Sequence, residues 1–258
     1  MKFAFKKKYI YIFFIILLIS LFVWYCYLYF QIEDKNFELE VKNKLQQKKI
    51  DEISKLNEKM KTEKLFLSSI DLKKDLSLNK FVSAKVSFNN KSYIPENLVN
   101  ISSKFIIDWK WWWQKLRKEA FQALEKMGEQ YYKDTWNKIV VVSAYRSYLY
   151  QKGIKDRWCP DNLCAKAWYS EHQTGLTVDL WSASSLEFWQ KKEFIDRYIW
   201  LKDNAYKYGY HNTYQKWLEV DTYEIEPWHW RYLWKPLAKY LWENNLTFAE
   251  FYNKMEQH

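Results

Sequence analysis

The chain has 258 residues, of which 48% are hydrophobic, and a formal net charge of +10. This length allows one ordinary domain with appendages, and the hydrophobic share is that of a globular protein. Because the lysines are spread along the chain and are not gathered in a nucleic-acid motif, the charge argues against nucleic-acid binding. It suits an anionic membrane or cell wall.

The N-terminus indicates a membrane anchor. Residues 9–30 form an uncharged run of 22 residues, which as a helix spans a hydrocarbon core of ~30 Å. Lys6, Lys7 and Lys8 precede this run, and positive flanks stay in the cytoplasm. The sequence therefore predicts a basic cytoplasmic N-terminus at 1–8 and a transmembrane anchor at 9–30, with the rest of the chain outside the cytoplasmic membrane.

Two other interpretations of this segment fit less well. A cleaved signal peptide usually has a shorter apolar core and ends in small residues, whereas residues 23–30 read VWYCYLYF. Lipid modification of Cys26 would require a small residue where the bulky Tyr25 stands. We therefore expect an uncleaved anchor.

Residues 31–66 are rich in Lys, Glu and Gln, and apolar residues recur in them at roughly helical spacing. A helical stalk, or a short coiled coil, is one interpretation. A solvated charged linker is the other. We expect residues 67–258 to form a separate folded domain.

The pattern within residues 67–258 mixes helices and strands without a regular βαβ rhythm. We therefore expect an α+β fold, a single compact domain with a small antiparallel sheet flanked by helices. The predicted elements are an amphipathic helix at 116–127, a buried strand at 138–144, a helix at 147–154, a strand at 176–180, a helix at 188–208, a strand that begins at Tyr223 and turns at Pro227, and a terminal helix at 236–256.

Two of the four histidines stand close to acidic residues. A hydrolytic zinc site needs about three His, Asp or Glu ligands, an open position for water, and a base to take the proton of that water. His172 and Asp179 are joined through a loop that can fold both onto one ion, and His229 can supply a third ligand. Glu226, three residues earlier in the chain, can reach the water.

A positive partner for the oxyanion that forms on the attacked carbonyl is also present. Arg146 follows the predicted strand KIVVVSA, and an arginine keeps its charge in a partly buried site. Taken singly, each of these residues has an ordinary structural explanation, such as a core histidine, a capping aspartate or a salt bridge. Only their combination points to catalysis.

The segments SAYRS, SEHQTGLTVD and EPWHWRY together resemble the VanY-type D-alanyl-D-alanine carboxypeptidases of the M15 group of zinc peptidases. The pattern S-x-H-x-x-G-x-x-x-D followed by E-x-x-H stands here as Ser170, His172, Gly175, Asp179, Glu226 and His229. The resemblance covers about residues 93–233.

The resemblance implies roles for these residues. One Zn²⁺ would be held by His172, Asp179 and His229, with Glu226 as catalytic base and Arg146 as stabiliser of the substrate carbonyl. The peptide pocket would be lined by Ser143, Tyr145, Gln151 and Ser170. Neither His211 nor His258 would have a part in the site.

The implied activity is removal of a terminal D-alanine from peptidoglycan peptide stems. Both D,D- and L,D-specificity occur on this scaffold, and the sequence leaves the choice open. An inactive cell-wall-binding module and a peptidoglycan endopeptidase are the alternatives, although a binding module has no need of Glu226.

Cys159 and Cys164 lie five residues apart in CPDNLC. Outside the cell they could close a small disulfide loop. A structural zinc site needs four ligands, and the sequence offers no second pair of cysteines. A disulfide or two free thiols are the remaining interpretations.

The chain has 16 Trp but only 4 Gly, where average usage predicts about 18 Gly. Trp136, Trp168, Trp217 and Trp234 stand where turn glycines are expected, and residues 111–113 are three consecutive tryptophans. Our hypothesis is that these residues come from UGA codons that the host reads as glycine. The alternative is a tryptophan-rich protein that grips sugar chains with its aromatic rings.

Peptide mass spectrometry of the protein isolated from its native host tests this hypothesis. We expect glycine masses at 168 and 234. Trp228 and Trp230 match the resembled family as tryptophan, so they serve as internal controls. Tryptophan masses at 168 and 234 would end the hypothesis.

Overall fold

The computed structural model describes residues 2–110, 113–182, 185–216 and 218–257. Trp111, Trp112, Trp217 and His258 lie outside these ranges. The chain divides into two units, Met1–Ser69 and Ile70–His258. Each unit is described by itself.

The first unit is a single helix, α1 (Lys2–Ser68). Near its N-terminus it contains a segment that is long and apolar enough to cross a membrane. The helix continues without a break through residues 31–66. Of the two interpretations of this segment, a helical stalk and a solvated charged linker, the structure has the helix. Its charged part includes a salt bridge between Lys44 Nζ and Glu40 Oε1, which are 2.7 Å apart. A glutamate four residues before a lysine is an arrangement that stabilises a helix.

The second unit contains seven described strands, which are β1 (Leu98–Asn100), β2 (Ile106–Asp108), β3 (Lys115–Arg117), β4 (Ile139–Ser143), β5 (Thr177–Leu180), β6 (Tyr210–Asn212) and β7 (His229–Tyr232). Five of them form one sheet with the strand order β2–β4–β5–β7–β6. A separate two-stranded antiparallel sheet pairs β1 with β3.

The expected antiparallel sheet is in fact mixed, because β2 pairs parallel with β4 whereas the other neighbours are antiparallel. Parallel pairing needs a crossover connection, and a helix between β2 and β4 provides it. That helix, α2 (Lys118–Thr135), begins later than predicted, since Leu116 belongs to β3.

The remaining helices surround the sheet. They are α3 (Tyr148–Lys155), α4 (Ser185–Gln190), α5 (Lys192–Asn204), α6 (Leu218–Asp221), α7 (Lys235–Glu243) and α8 (Phe248–Glu256), with 3₁₀ turns at Glu171–Thr174 and Ala205–Tyr208.

Three other predicted elements also differ from the structure in extent. The single helix at 188–208 is interrupted at Lys191, whose extended backbone starts α5 anew. The terminal helix at 236–256 is two helices, because Asn245 has φ of +51° and Thr247 begins α8 with a capping box. The strand expected from Tyr223 begins only at His229; Pro227 lies between them and has no N–H for a ladder.

The apolar core lies on one face of the sheet. Leu124 and Met127 of α2 are fully buried in one cluster with Val178 of β5 and Trp230 of β7. Since side chains alternate along a strand, the neighbours of Val178 and Trp230 must point to the other face. That other face holds polar side chains.

Among the described residues, eight that are not glycine have a positive φ, and five of these are tryptophans. They are Trp136 (59°), Trp158 (63°), Trp168 (72°), Trp181 (61°) and Trp234 (65°). Trp136 ends α2 in the left-handed conformation that glycine commonly adopts at this position. The backbone therefore supports glycine at these positions. Of the four turn positions named from the sequence, the three described ones are among these five.

Replacing Trp158 by glycine is expected to stabilise the protein by about 1 kcal/mol, because a left-handed residue with a Cβ is strained and glycine is not. The side chain is 94% exposed, so little packing is lost. Denaturant unfolding of the full chain in detergent measures the change. Trp113→Gly is the matched control, since Trp113 is 83% exposed but is not among the residues with positive φ. Equal changes in the two variants would contradict the prediction.

Candidate metal and catalytic centre

Three polar side chains form a row across the sheet where β4, β5 and β7 lie side by side. Ser143 pairs with Asp179 between β4 and β5, and Asp179 pairs with His229 between β5 and β7. Residues directly opposite each other in antiparallel strands point to the same face, so these side chains meet on one side of the sheet. The register of β4 shifts between Val141 and Ser143, as is common beside active sites.

A 3₁₀ turn before β5 adds His172 to this row. The turn ends at Gly175, whose φ of +71° favours glycine. A Cβ at this position would also lie 3.0 Å from Leu98 Cδ2 and 3.2 Å from Arg117 Cγ. The backbone carbonyl of His172 accepts hydrogen bonds from the N–H of Arg146 and of Gly175, both at 3.2 Å. These contacts fix the turn that carries the histidine.

His172, Asp179 and His229 can together hold a metal ion. All three are buried, and one ligand atom from each lies within 4.8 Å of the others. His172 Nδ1 is 2.7 Å from the carbonyl oxygen of Ala144, and His229 Nε2 is 2.9 Å from Glu171 Oε2. These contacts occupy one nitrogen of each ring.

The other nitrogens, His172 Nε2 and His229 Nδ1, each lie 3.2 Å from an Asp179 carboxylate oxygen. Two imidazoles and one carboxylate are a donor set that suits zinc and leaves a coordination position for water. The hydrogen bonds to Ala144 and Glu171 are the outer contacts that metal-binding histidines usually have. The residues therefore fit a zinc ion.

Burial and neighbouring charges make the two histidines unlike each other. Burial lowers the pKa of His172 to about 4, and the charge of Arg146 acts in the same direction. Burial also opposes the charged form of His229, but hydrogen bonds with Asp179 and Glu171 outweigh it and raise its pKa to about 9. In the metal-free protein at neutral pH, His172 is therefore neutral and His229 carries a proton.

Glu226 lies beside this cluster on the segment that leads into β7. Its Oε2 is 3.4 Å from His229 Nδ1. The Asn212 side chain donates hydrogen bonds to the backbone oxygens of Glu226 and His229, at 2.7 and 2.8 Å, and so holds the segment. Burial raises the pKa of Glu226 to about 7, although the charge of His229 opposes the shift. A carboxyl group of this pKa can accept and return a proton near neutral pH.

Arg146 contacts the cluster from the segment that joins β4 to α3. Its guanidinium donates to Asp179 Oδ2 at 2.6 Å and to Ser143 Oγ at 2.9 Å, with Gln151 Oε1 at 3.5 Å. These described contacts engage three of the five N–H donors of an arginine. The other two are available to a substrate oxygen.

The cluster opens into a cavity of about 340 Å³. Arg146, the three candidate ligands and Glu226 all line it. Of the four predicted peptide-pocket residues, all in the described part of the chain, Gln151 and Ser170 also line it, whereas Ser143 and Tyr145 are not among its lining residues. Ser143 instead accepts a hydrogen bond from Arg146.

The structure adds a charged pair that the sequence analysis did not single out. Glu171 and Arg231 are buried beside the metal ligands, with Glu171 Oε1 3.0 Å from an Arg231 guanidinium nitrogen. Burial opposes the charged form of Glu171, but the charge of Arg231 and the hydrogen bond from His229 lower its pKa to about 2. The signal was in the strand period, since Arg231 is two residues from His229 and shares its face.

The disulfide alternative for the cysteine pair holds in the structure, where Cys159 is bonded to Cys164. Both cysteines and Leu163 between them line the cavity. The loop is tied to the segment before Glu226, because Glu224 N–H donates to Asn162 O at 3.0 Å and the Asn162 side chain donates to the Glu224 carboxylate. The disulfide loop therefore forms one wall of the cavity.

Comparison with known proteins supports the resemblance seen in the sequence. Residues 113–235 match the VanY family, described as D-alanyl-D-alanine carboxypeptidase. YodJ of Bacillus subtilis (strain 168), whose name assigns it provisionally as a carboxypeptidase, is 36% identical over 175 residues, or 64% of each chain. A D-alanyl-D-alanine carboxypeptidase of Enterococcus faecium is 28% identical over 148 residues, covering 55% of this chain and 45% of that one. The chain thus matches less than two thirds of the length of either relative.

Solved structures show the same fold. The LdcB LD-carboxypeptidase superposes with a TM-score of 0.59 at 31% identity, covering 70% of this chain and 87% of its own. VanYB in complex with D-alanine-D-alanine has a TM-score of 0.53 at 21% identity, covering 69% of this chain and 97% of its own.

Zinc affinity is expected to rise with pH. A ligand histidine must be neutral, so zinc has to displace the proton from His229, whose pKa is about 9 in the metal-free protein. The apparent dissociation constant should increase about tenfold for each pH unit below 9. Chelator competition with the full chain in detergent at pH 6, 7 and 8 measures it.

His211→Asn is the control for this measurement, because burial already lowers the pKa of His211 to about 4 and the residue is neutral throughout this range. The control should keep the same slope. An affinity that does not change between pH 6 and 8 would contradict the prediction.

Proposed function

Because the chain belongs to the VanY family of D-alanyl-D-alanine carboxypeptidases, we propose that it is a zinc-dependent carboxypeptidase that removes the terminal D-alanine of peptidoglycan peptide stems. The observation that carries this proposal is the buried cluster of His172, Asp179 and His229 with Glu226 beside it, at the base of an open cavity. The D-alanyl chemistry comes from the family and from the peptidoglycan-recognising LD-carboxypeptidase that shares the fold.

The three ligands would hold one zinc ion. When bound, zinc supplies Lewis-acid chemistry that makes hydroxide available near neutral pH. Glu226 takes the proton of the attacking water; its carboxylate lies beside the ligand atoms, 3.4 Å from His229 Nδ1. It then passes that proton to the amine nitrogen of the departing D-alanine as the C–N bond breaks. The hydroxyl of the water stays on the carbonyl carbon, so one water molecule is consumed for each amide bond cleaved.

Arg146 faces the same cavity with a charge that does not titrate near neutral pH. Its contacts with Asp179 and Ser143 hold the guanidinium in place. The remaining N–H donors stabilise the negative charge that develops on the scissile carbonyl oxygen. Gln151 is also held, since its amide donates to the Ala165 carbonyl at 2.7 Å, and with Ser170 it contacts the peptide stem.

We further propose that α1 anchors the enzyme in the cytoplasmic membrane with the catalytic domain outside. The apolar segment near the start of α1 is long enough to span a bilayer, and lysines precede it. A disulfide that lines the cavity suits an oxidising compartment outside the cytoplasm. The peptide stems of the cell wall are found in that compartment.

Release of D-alanine tests the proposed activity. The zinc-loaded full chain in detergent is incubated with muropeptides that carry pentapeptide stems and, separately, tetrapeptide stems. The masses of the products are measured by mass spectrometry. We expect loss of one alanine from one of them; the pentapeptide would indicate D,D-specificity and the tetrapeptide L,D-specificity. Glu226→Ala should reduce the rate about 10²- to 10⁴-fold, the usual contribution of a general base.

Two controls accompany this assay. A chelator should abolish release, and Glu219→Gln, which changes an exposed carboxylate of α6, should not affect it. If the folded, metal-bound protein released alanine from neither stem, the carboxypeptidase proposal would fail. Cleavage within a stem or a cross-link would then indicate an endopeptidase, and binding without cleavage a cell-wall-binding module.

A further inference from the structure

A chain of buried polar groups lies beside the metal ligands. Glu171 Oε2 is 2.9 Å from His229 Nε2 and 2.6 Å from Thr213 Oγ1, and Glu171 Oε1 is 3.0 Å from an Arg231 guanidinium nitrogen. All four residues are at most 2% exposed. Each oxygen of the Glu171 carboxylate therefore has a partner that water does not reach.

The pair of Glu171 and Arg231 is a poor way to stabilise a fold. Taking two charges out of water is unfavourable, and well-packed apolar side chains of similar volume often stabilise a core as much or more. Arg231 is held further, since its guanidinium donates to the Lys80 carbonyl and lies 5.4 Å from the Phe248 ring centroid. Such contacts hold the carboxylate of Glu171 in one place.

His229 needs this kind of constraint because its two ring nitrogens have different tasks. Nδ1 lies with the other ligand atoms beside Asp179, at 3.2 Å, whereas Nε2 faces Glu171. A carboxylate accepts a hydrogen bond and cannot donate one when ionised, so it requires the proton to be on Nε2. Nδ1 is then left with a free lone pair for the metal.

The other ligand histidine is oriented differently. His172 Nδ1 contacts the backbone oxygen of Ala144, which no substitution removes, and offers the opposite nitrogen, Nε2, to the cluster. The ring of Tyr214 stacks on His229 with centroids 4.4 Å apart and limits its tilt. Glu171 is thus the side chain that sets the tautomer and the rotation of a ligand ring.

We propose that Glu171, held by Arg231 and Thr213, is a positioning residue that fixes His229 with Nδ1 towards the metal. The inference rests on the proposed metal site, and it adds Glu171 and Arg231 to the residues on which metal affinity depends. Glu171 also lines the cavity, but in this role it acts through His229.

The test compares two variants that each remove the carboxylate partner of a buried cation. Glu171→Gln removes the partner of Arg231. Asp75→Asn is the matched control, since Asp75 lies 3.1 Å from Lys80, whose side chain is 2% exposed, and neither residue is among those lining the cavity. Both variants should unfold at a lower denaturant concentration than the parent.

Only Glu171→Gln should change the metal site. We expect its zinc affinity, from chelator competition with the full chain in detergent at a pH above 9, where a proton on His229 no longer competes, to fall about 10- to 100-fold, as for other outer contacts of metal ligands. The visible spectrum of bound Co²⁺ should shift, because the geometry at His229 changes. The Asp75→Asn protein should keep the parent affinity and spectrum.

Thr213→Val covers the case in which Glu171→Gln does not fold, because it removes one hydrogen bond to Glu171 and leaves both charges. Its zinc affinity should fall several-fold. Parent affinity and an unchanged Co²⁺ spectrum in whichever variant folds would overturn the inference. The outcome is independent of D-alanine release, since a protein that binds zinc through this contact but cleaves neither stem would refute the proposed function alone.

Discussion

The register between β5 and β7 is the constraint on which the rest of the site depends. It places Asp179 directly opposite His229 and Thr177 opposite Arg231, so two rows of polar side chains share one face of the sheet. A slip of one residue in either strand would move the polar side chains of that strand into the apolar core and its apolar side chains onto the polar face. Both changes are unfavourable. Burial of Val178 on the other face therefore secures the geometry of the metal ligands.

A sheet face that carries several buried charges needs partners for each of them. Asp179 contacts His172, His229 and Arg146, and Glu171 contacts His229 and Arg231. His229 lies between the two carboxylates, which explains why its pKa is raised although burial acts against its charge. These contacts offset the cost of burying the charges in the metal-free site. The same contacts would orient the ligands around an ion.

The tryptophans add a second kind of constraint, which acts on the backbone. Trp168 precedes the 3₁₀ turn with φ of +72°, and its backbone N–H donates to the Gln173 side chain within that turn. Trp181, with φ of +61°, directly follows β5 and donates its N–H to the carbonyl of Val140. Left-handed residues thus stand on both sides of the segment that carries His172 and Asp179. Glycine would relieve the strain of a Cβ at both positions.

The sequence by itself determined the mixed α+β class, the apolar N-terminal segment and the identity of the candidate ligands, because helical and strand periods and the spaced motif are local properties. It did not reveal that β2 runs parallel to β4, nor that residues 188–208 and 236–256 are each interrupted, since crossovers and caps depend on what packs around them. The tertiary structure alone joined Glu171 to Arg231, which lie 60 residues apart in the chain. The pairing of β7 with β5, which follows the turn that carries Glu171, brings these distant charges together, and their shared burial makes the contact obligatory.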